Sequence, residues 1–234
     1  MARNLGERWT GSSAKRLRIA LAAPGRRVDA NMVAEASDLA FALYGERVQL
    51  IAHPQCFMSH GHFAGRDADR LEALVALGND PDIDAVWFAR GGYGACRIAE
   101  EAVRRLGPIA RRKLWIGYSD NGFLLAALSQ ARFPFIAHGP MPSDLLRPGG
   151  AAALRRALTY IVEAAPASLE PNAPGERQLA FNLTVFSHML GTPLEPDVSN
   201  AVLLLEDVGE HMYRIDRSFF HVLSSPAVRR CAGV

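Results

Sequence analysis

Short apolar runs alternate with longer segments of helical periodicity over the first two-thirds of the chain. The apolar runs predict strands, at residues 18–23, 47–52, 84–90, 113–117 and 133–137. The segments that follow them carry one apolar face and predict helices, at residues 30–44, 68–77, 95–106, 121–130 and 149–162. Repeated strand–helix units of this length form a parallel sheet covered by helices on both faces. The pattern therefore predicts an α/β fold.

The pattern changes in residues 163–177. Three prolines stand there among alanines and short polar residues, which predicts a linker. Beyond the linker, apolar runs predict two strands, at residues 178–185 and 202–206, and a helix is predicted at residues 213–223. A second domain therefore begins after the linker.

The chain divides on this basis into four parts. They are a leader (1–16), an α/β domain (17–162), the linker (163–177) and a smaller, β-rich second domain (178–234). Residues 178–234 are few for an independent hydrophobic core, and residues 228–234 resemble the entry to a further strand. We therefore expect the second domain to be incomplete.

Composition and charge exclude several classes of protein. Apolar residues make up 49% and charged residues 21% of the chain, with a formal net charge of +2, as in an ordinary soluble globular protein. No arrangement of basic and aromatic residues predicts nucleic-acid binding. The three widely spaced cysteines indicate a reducing compartment without disulfides. No segment predicts a membrane span, and the leader lacks the apolar core of a signal peptide, so we expect a cytoplasmic protein.

A serine stands at the most informative turn of the sequence. The apolar run that begins at Lys113 meets Gly117 and then Ser119, and the predicted helix at residues 121–130 follows at once. A strand–turn–helix with serine at the turn lifts a hydroxyl above the sheet edge, beside the free N–H groups of a helix start. This geometry suits a nucleophile. The alternative is that Ser119 or Asp120 caps the helix.

A glycine-rich loop follows the preceding predicted strand. Residues 91–94 read Gly-Gly-Tyr-Gly and come directly after Arg90. Glycines at the carboxyl end of a strand let backbone amides approach a ligand closely. Ser119 and this loop would share one crevice if their strands are neighbours. The loop matches neither the Walker A motif nor the dinucleotide-binding fingerprint, so the indication of phosphate binding is weak. The alternative to a ligand-binding role is that these glycines only allow tight packing.

A nucleophilic serine needs a base and an acid that orients it. His138 follows the fifth predicted strand, and Glu206 ends the strand at residues 202–206. A carboxylate at that strand end could orient an imidazole, or it could cap the next helix or pair with arginines. The segment 53–63 holds three histidines and a cysteine, but their spacing fits no standard zinc site. We therefore predict no metal.

Six groups of residues resemble one family together, the LD-carboxypeptidases of the serine peptidase class. This family includes muramoyl-tetrapeptide carboxypeptidases and microcin-immunity peptidases. The matching groups follow the family's order, at residues 63–65 with 67–70, 90–94, 117–120, 138–141, 182–184 with 190–193, and 205–207 with 213–217. The resemblance implies a flavodoxin-like N-terminal domain, a smaller β-rich C-terminal domain and an active site between them.

The resemblance also implies the chemistry. Such enzymes use a Ser–Glu–His triad, without a cofactor, to cut the amide between an L-centre and a C-terminal D-amino acid, typically in a murein tetrapeptide. By matching position, Ser119 is the nucleophile, Glu206 is the orienting acid, and the backbone amides of Asp120 and Gly92 form the oxyanion hole. We assign Arg90, with Gly91, to binding of the substrate. Family members are often homodimers, but nothing in this sequence fixes an interface.

Two departures from the family pattern qualify this expectation. Ala180-Phe181 replaces a glycine pair that commonly precedes the asparagine matched by Asn182. The family's catalytic histidine lies beyond the acid, at a position that none of the seven histidines here occupies. His138 or His211 could replace it only if the fold aims one of them at Ser119. An alternative is therefore a non-catalytic binder of peptides that end in a D-residue, and a weaker one is an amidotransferase-like or nucleotide-binding domain.

Overall fold

The computed structural model describes residues 16–171 and 177–234. The leader, apart from residue 16, and residues 172–176 of the predicted linker lie outside this part. The first sheet has five strands: β1 (Leu17–Ala22), β2 (Val48–Ala52), β3 (Ala85–Phe88), β4 (Leu114–Gly117) and β5 (Ile136–His138). The helices that accompany them are α1 (Ala30–Tyr44), α2 (Asp67–Asn79), α3 (Ala99–Arg105), α4 (Gly122–Gln130) and α5 (Gly150–Glu163). The predicted alternation of strands and helices is confirmed.

The five strands are parallel and lie in the order β2-β1-β3-β4-β5. This is the flavodoxin-like order, in which ligands bind at the carboxyl edge where the chain changes direction, between β1 and β3. The loops after β1, β3 and β4 therefore meet at one edge. The predicted neighbourhood of the Ser119 turn and the glycine-rich loop follows directly, because β3 and β4 are adjacent.

Alternate residues of the strands face opposite layers of helices. Ile19 and Leu21 of β1 belong to one core, which α1 and α5 cover with Met32, Ala36, Leu154 and Leu158. Ala20 and Ala22 belong to the other core, which α2, α3 and α4 cover with Leu74, Ala99, Leu124 and Leu128. Strands buried on both faces explain why the sequence shows continuous apolar runs instead of alternation.

Residues 177–234 add a small parallel sheet to this framework. Its two strands are β6 (Gln178–Asn182) and β7 (Val202–Glu206), and its helices are α6 (Leu183–Met189) and α7 (Met212–Ser224). The strand predicted at residues 178–185 ends at Asn182 instead, whose side chain accepts a hydrogen bond from Val185 N and begins α6. Apolar residues of this segment join the core around α4, namely Phe181, Leu183, Phe186 and Met189.

Three further observations complete the description of the fold. The helix predicted at residues 95–106 consists of a 3₁₀ turn (Ala95–Arg97) followed by α3. Residues 228–230 form a 3₁₀ turn, and Gly233 makes an isolated parallel bridge to Val202. None of the helices in residues 16–171 and 177–234 combines the length and apolar character needed to cross a bilayer.

Candidate active site

Ser119 lies at a strained turn between β4 and α4. A 3₁₀ turn (Ser119–Asn121) connects the two elements, and Ser119 itself has φ of +59°. A residue with a Cβ atom pays on the order of 1–2 kcal/mol for this left-handed conformation. Among the described residues, the Ser119 hydroxyl has no hydrogen-bond partner, and the residue that caps α4 is Asn121. The hydroxyl is therefore held above the sheet edge without a capping role.

The glycine-rich loop lies directly against this serine. A Cβ atom added to Gly91 would stand 3.0 Å from the Cβ and 3.0 Å from the Oγ of Ser119. Contacts this short are tighter than ordinary van der Waals packing, so a side chain at Gly91 would displace the hydroxyl. The backbone of the loop therefore approaches Ser119 as closely as a glycine allows.

Buried side chains of the Ser119 turn hold that loop in place. The Asp120 carboxylate accepts a hydrogen bond from Ala95 N at 2.8 Å. The Asn121 side chain, fully buried, donates to the backbone oxygen of Arg90 at 3.1 Å. The turn that carries the serine thus also fixes the glycine-rich loop.

Two backbone amides remain available beside Ser119. In the part of the chain that the structure describes, the N–H groups of Gly92 and Asp120 donate no hydrogen bond. Backbone N–H groups left free at a strand end and a helix start are suited to an anion or an oxyanion. These are the two amides that the family resemblance implies as an oxyanion hole, and their role stays a prediction.

A buried arginine fastens the loops after β1 and β3 together. Arg70 of α2 is fully buried and donates to the backbone oxygens of Pro24 and Gly94, the latter at 2.9 Å. Asp67 pairs with the same guanidinium. Asp67 and Arg70 belong to a segment that matches the family, but the sequence alone did not reveal that Arg70 links these two loops.

Gly25, after β1, provides a first test of this arrangement. A Cβ atom at Gly25 would lie 1.8 Å from the backbone oxygen of Gly92, and no side-chain rotation could relieve that overlap. We expect Gly25→Ala to lower the free energy of unfolding by about 3 kcal/mol, because the loop must move. Urea denaturation measures this change. Gly233→Ala, which meets no atom within 4 Å, is the control; equal stabilities of the two variants would contradict the close approach.

Asp120 predicts a pH dependence of stability. Burial raises the pKa of its carboxyl to about 6, against about 3.9 in an unfolded chain. The stabilising contribution of the protonated form is therefore complete below about pH 3.9 and is lost as the pH rises through about 6. We expect the free energy of unfolding of the unmodified protein to fall by about 2–3 kcal/mol, relative to that of Asp120→Asn, as the pH rises from 4 to 7.

Urea denaturation of both proteins at these two pH values gives that difference directly. Asparagine keeps an acceptor oxygen for Ala95 N, so the change concerns mainly the ionisable proton. Other titrating groups are common to both proteins and cancel in the comparison. A difference in unfolding free energy that stays constant from pH 4 to pH 7 would show that Asp120 titrates normally.

Ser119 shares a pocket with residues from the second sheet. The pocket has a volume of about 270 Å³, and its lining residues are Tyr118, Ser119, Arg147, Asn182, Thr184, Glu206, Asp207, Val208 and Glu210. Glu206 and Asn182 end the paired strands β7 and β6 in register, so both side chains reach the same edge. The predicted nucleophile and the predicted acid, 87 positions apart in sequence, therefore face one cavity.

Glu206 has an unusual environment for a carboxylate. One of its oxygens, Oε1, is buried and has no hydrogen-bond partner among the described residues, although the side chain as a whole is 35% exposed. Burial raises the pKa of Glu206. A buried acceptor without a partner is costly unless something donates to it. Glu206 Oε1 is therefore an open acceptor for an N–H group.

His138 lies behind this carboxylate. Its Nε2 atom is 4.0 Å from Glu206 Oε1, which is too long for a hydrogen bond, and its buried Nδ1 atom has no hydrogen-bond partner among the described residues. Burial lowers the pKa of His138 to about 4, so the ring is neutral at pH 7. His138 does not line the pocket that contains Ser119. It borders the acid instead of the nucleophile.

The other predicted residues lie apart from this pocket or outside its lining. Arg90 does not line it, and its guanidinium donates to the backbone oxygen of Arg27 at 3.4 Å. His211 is exposed and stacks on Tyr213. Among the described residues, no three His, Cys, Asp or Glu side chains form a group that could hold a metal ion. Sequence reasoning did not single out Arg147, which lines the pocket.

Profiles of one family match both parts of the chain. The LD-carboxypeptidase N-terminal domain matches residues 19–139, and the LD-carboxypeptidase C-terminal domain matches residues 177–234. A murein tetrapeptide carboxypeptidase of Pseudomonas aeruginosa is 32% identical over 93% of this chain and 75% of its own length. A Streptomyces coelicolor protein, provisionally named a carboxypeptidase, is 34% identical over 93% of this chain and 73% of its own length.

Solved structures give the same result. The crystal structure of muramoyltetrapeptide carboxypeptidase from Oxalobacter formigenes superimposes with a TM-score of 0.73 at 25% identity, covering 92% of this chain and 74% of that one. The match covers 58% of the length of two other curated relatives. The similarity therefore spans both sheets of this chain and part of the length of its relatives.

Proposed function

This chain belongs to the LD-carboxypeptidase family, and from that premise we propose that it is a serine carboxypeptidase. The proposed reaction is hydrolysis of the amide between an L-centre and a C-terminal D-amino acid, in murein tetrapeptides or related peptides. Relatives named for murein peptides support a peptidase function in the family. The observation that carries the serine mechanism is the strained turn at Ser119, which faces Glu206 across one pocket.

The proposed first step is attack of Ser119 Oγ on the scissile carbonyl carbon. The carbonyl oxygen becomes an oxyanion, and the free N–H groups of Gly92 and Asp120 would donate to it. One such donor accounts for about 3–4 kcal/mol of transition-state stabilisation in comparable sites. Collapse of the tetrahedral intermediate breaks the amide bond, releases the D-amino acid and leaves an acyl ester on Ser119. Water then hydrolyses that ester.

The proton of Ser119 needs an acceptor, which we propose to be a histidine oriented by Glu206. Glu206 Oε1 is buried and lacks a partner among the described residues, which supports the carboxylate as the acceptor for an imidazole N–H. The imidazole would take the proton from Ser119 and give it to the leaving amine. We assign this role to no described histidine, because none of them lines the pocket.

The experiment that tests this function follows release of the terminal residue. The purified protein is incubated with a murein tetrapeptide ending in D-alanine, and with the diastereomer ending in L-alanine, and the products are measured by mass spectrometry. Release of D-alanine alone supports the proposal. Equal release from both peptides would contradict the stereochemical assignment. Binding of the D-peptide without release would favour the non-catalytic alternative.

A further inference from the structure

The pocket that contains Ser119 has an uneven distribution of charge. Three of its lining residues are acidic, namely Glu206, Asp207 and Glu210. Arg147 is the one basic side chain among the described residues that line it. An anionic group that enters this pocket is repelled by the carboxylates and attracted by this guanidinium. The charge pattern therefore marks one position for an anion, beside Arg147.

Arg147 is held in place by the residue that precedes the nucleophile. Its Nη1 atom donates to the Tyr118 hydroxyl at 3.0 Å and lies 3.6 Å from Asp144 Oδ1. The Tyr118 hydroxyl in turn donates to the same carboxylate oxygen at 2.7 Å. This network fixes the Arg147 guanidinium relative to the turn that carries Ser119.

The anchor of the network is itself rigid. Asp144 is only 6% exposed, and its second oxygen accepts from Met141 N at 2.8 Å. A Cβ atom at Gly150 would lie 1.9 Å from the backbone oxygen of Asp144, so the start of α5 packs closely on this turn. The network therefore rests on a buried carboxylate that backbone contacts hold in place.

The remaining donors of Arg147 are free. The Nε and Nη2 groups donate to no residue within 16–171 or 177–234, and 56% of the side chain is exposed. A guanidinium offers these two N–H directions as a fork that matches the two oxygens of a carboxylate. Because Arg147 is one of the residues that line the pocket, these donors are available to a ligand there.

We propose that Arg147 binds the C-terminal carboxylate of the peptide, on the residue that leaves after attack by Ser119. This inference rests on the proposed function and specifies which substrates the pocket accepts. The pocket selects peptides with a free C-terminal carboxylate over peptides that are amidated or longer. Arg90, which the sequence analysis assigns to binding of the substrate, does not line the pocket. Arg147 is thus a binding and specificity residue that acts through direct contact with the substrate.

Calorimetry tests the inference without requiring turnover. The Ser119→Ala protein is titrated with a murein tetrapeptide ending in D-alanine and with the same peptide carrying a C-terminal amide. We expect the acid to bind about 10- to 100-fold more tightly than the amide, as for hydrogen bonds to a charged group. Arg147→Gln in this background should remove the preference, and Arg147→Lys should retain part of it.

Arg155→Gln, an exposed position on α5, is the matched control and should keep the full preference. Thermal denaturation of each variant verifies that it is folded. A preference that persists in Arg147→Gln overturns the inference, and its loss in Arg90→Gln alone would assign the carboxylate to Arg90. Failure of both peptides to bind also overturns it. Loss of the preference in Arg147→Gln, without any release of D-alanine by the unmodified protein, would support Arg147 and defeat the proposed hydrolysis.

Discussion

With the histidine that Glu206 is proposed to orient in place, Ser119→Ala is expected to lower the rate of D-alanine release by about a millionfold, the loss measured when a nucleophilic serine is removed from a comparable triad. The reason is chemical: alanine keeps the backbone turn and the oxyanion amides but has no oxygen to form the acyl ester. Because alanine also has a Cβ atom, the strain at φ of +59° remains and the stability should change little. Mass spectrometry of the products measures the rate.

The matched control is Ser129→Ala, which removes a serine from α4, a helix outside the pocket lining. Its rate should equal that of the unmodified protein. A rapid quench of the unmodified protein with substrate should also trap a covalent adduct whose mass includes the acyl part of the peptide. Similar rates for Ser119→Ala and Ser129→Ala would exclude Ser119 as the nucleophile, whatever the overall activity.

With the same histidine in place, Glu206→Gln is expected to lower kcat by about 10⁴-fold, as when the buried acid of a triad becomes an amide. Glutamine preserves the size of the side chain but can donate where the carboxylate only accepts, so it no longer orients an imidazole in the required tautomer. The folded protein should be at least as stable, because burial raises the pKa of Glu206 and the ionised form is disfavoured in the fold.

Steady-state kinetics and urea denaturation test both halves of this prediction. Glu170→Gln serves as the control, since this carboxylate lies outside the pocket and pairs with Arg156 on the surface. A large loss of kcat with unchanged stability fits an orienting role. A loss of stability without a loss of kcat would mean that Glu206 serves only the packing between β6 and β7.

The position of the nucleophile candidate was predictable because its signal is local. An apolar strand, a glycine and a serine before an amphipathic helix define the turn at Ser119, and the structure has that strand and helix within a few residues of the predicted ends. The family resemblance, carried by short segments along the chain, is confirmed, and so is the α/β fold. The left-handed conformation of Ser119 was not predictable, because a serine gives no sequence signal for positive φ.

Other features depended on contacts between distant residues. The assignment of Arg90 to substrate binding stays a prediction; in the structure its guanidinium donates to the backbone oxygen of Arg27, and it does not line the pocket. Arg147 belongs to no motif in the sequence. It lines the pocket, and its guanidinium donates to the hydroxyl of Tyr118, which is 29 positions away. His138 was a candidate base, and the fold brings it to Glu206 instead of into the pocket lining.

The sequence by itself determined the order of strands and helices, the family and the turn that carries Ser119, because hydrophobic periodicity and short motifs act within one or two elements. The order of strands in the sheet and the meeting of Ser119 and Glu206 in one pocket followed from no local pattern and were implied only by the family resemblance, whereas the guanidinium that lines the pocket was decided by the tertiary structure alone. These depend on which strands pair and which surfaces pack, and such choices are settled by the burial of apolar area over the whole molecule.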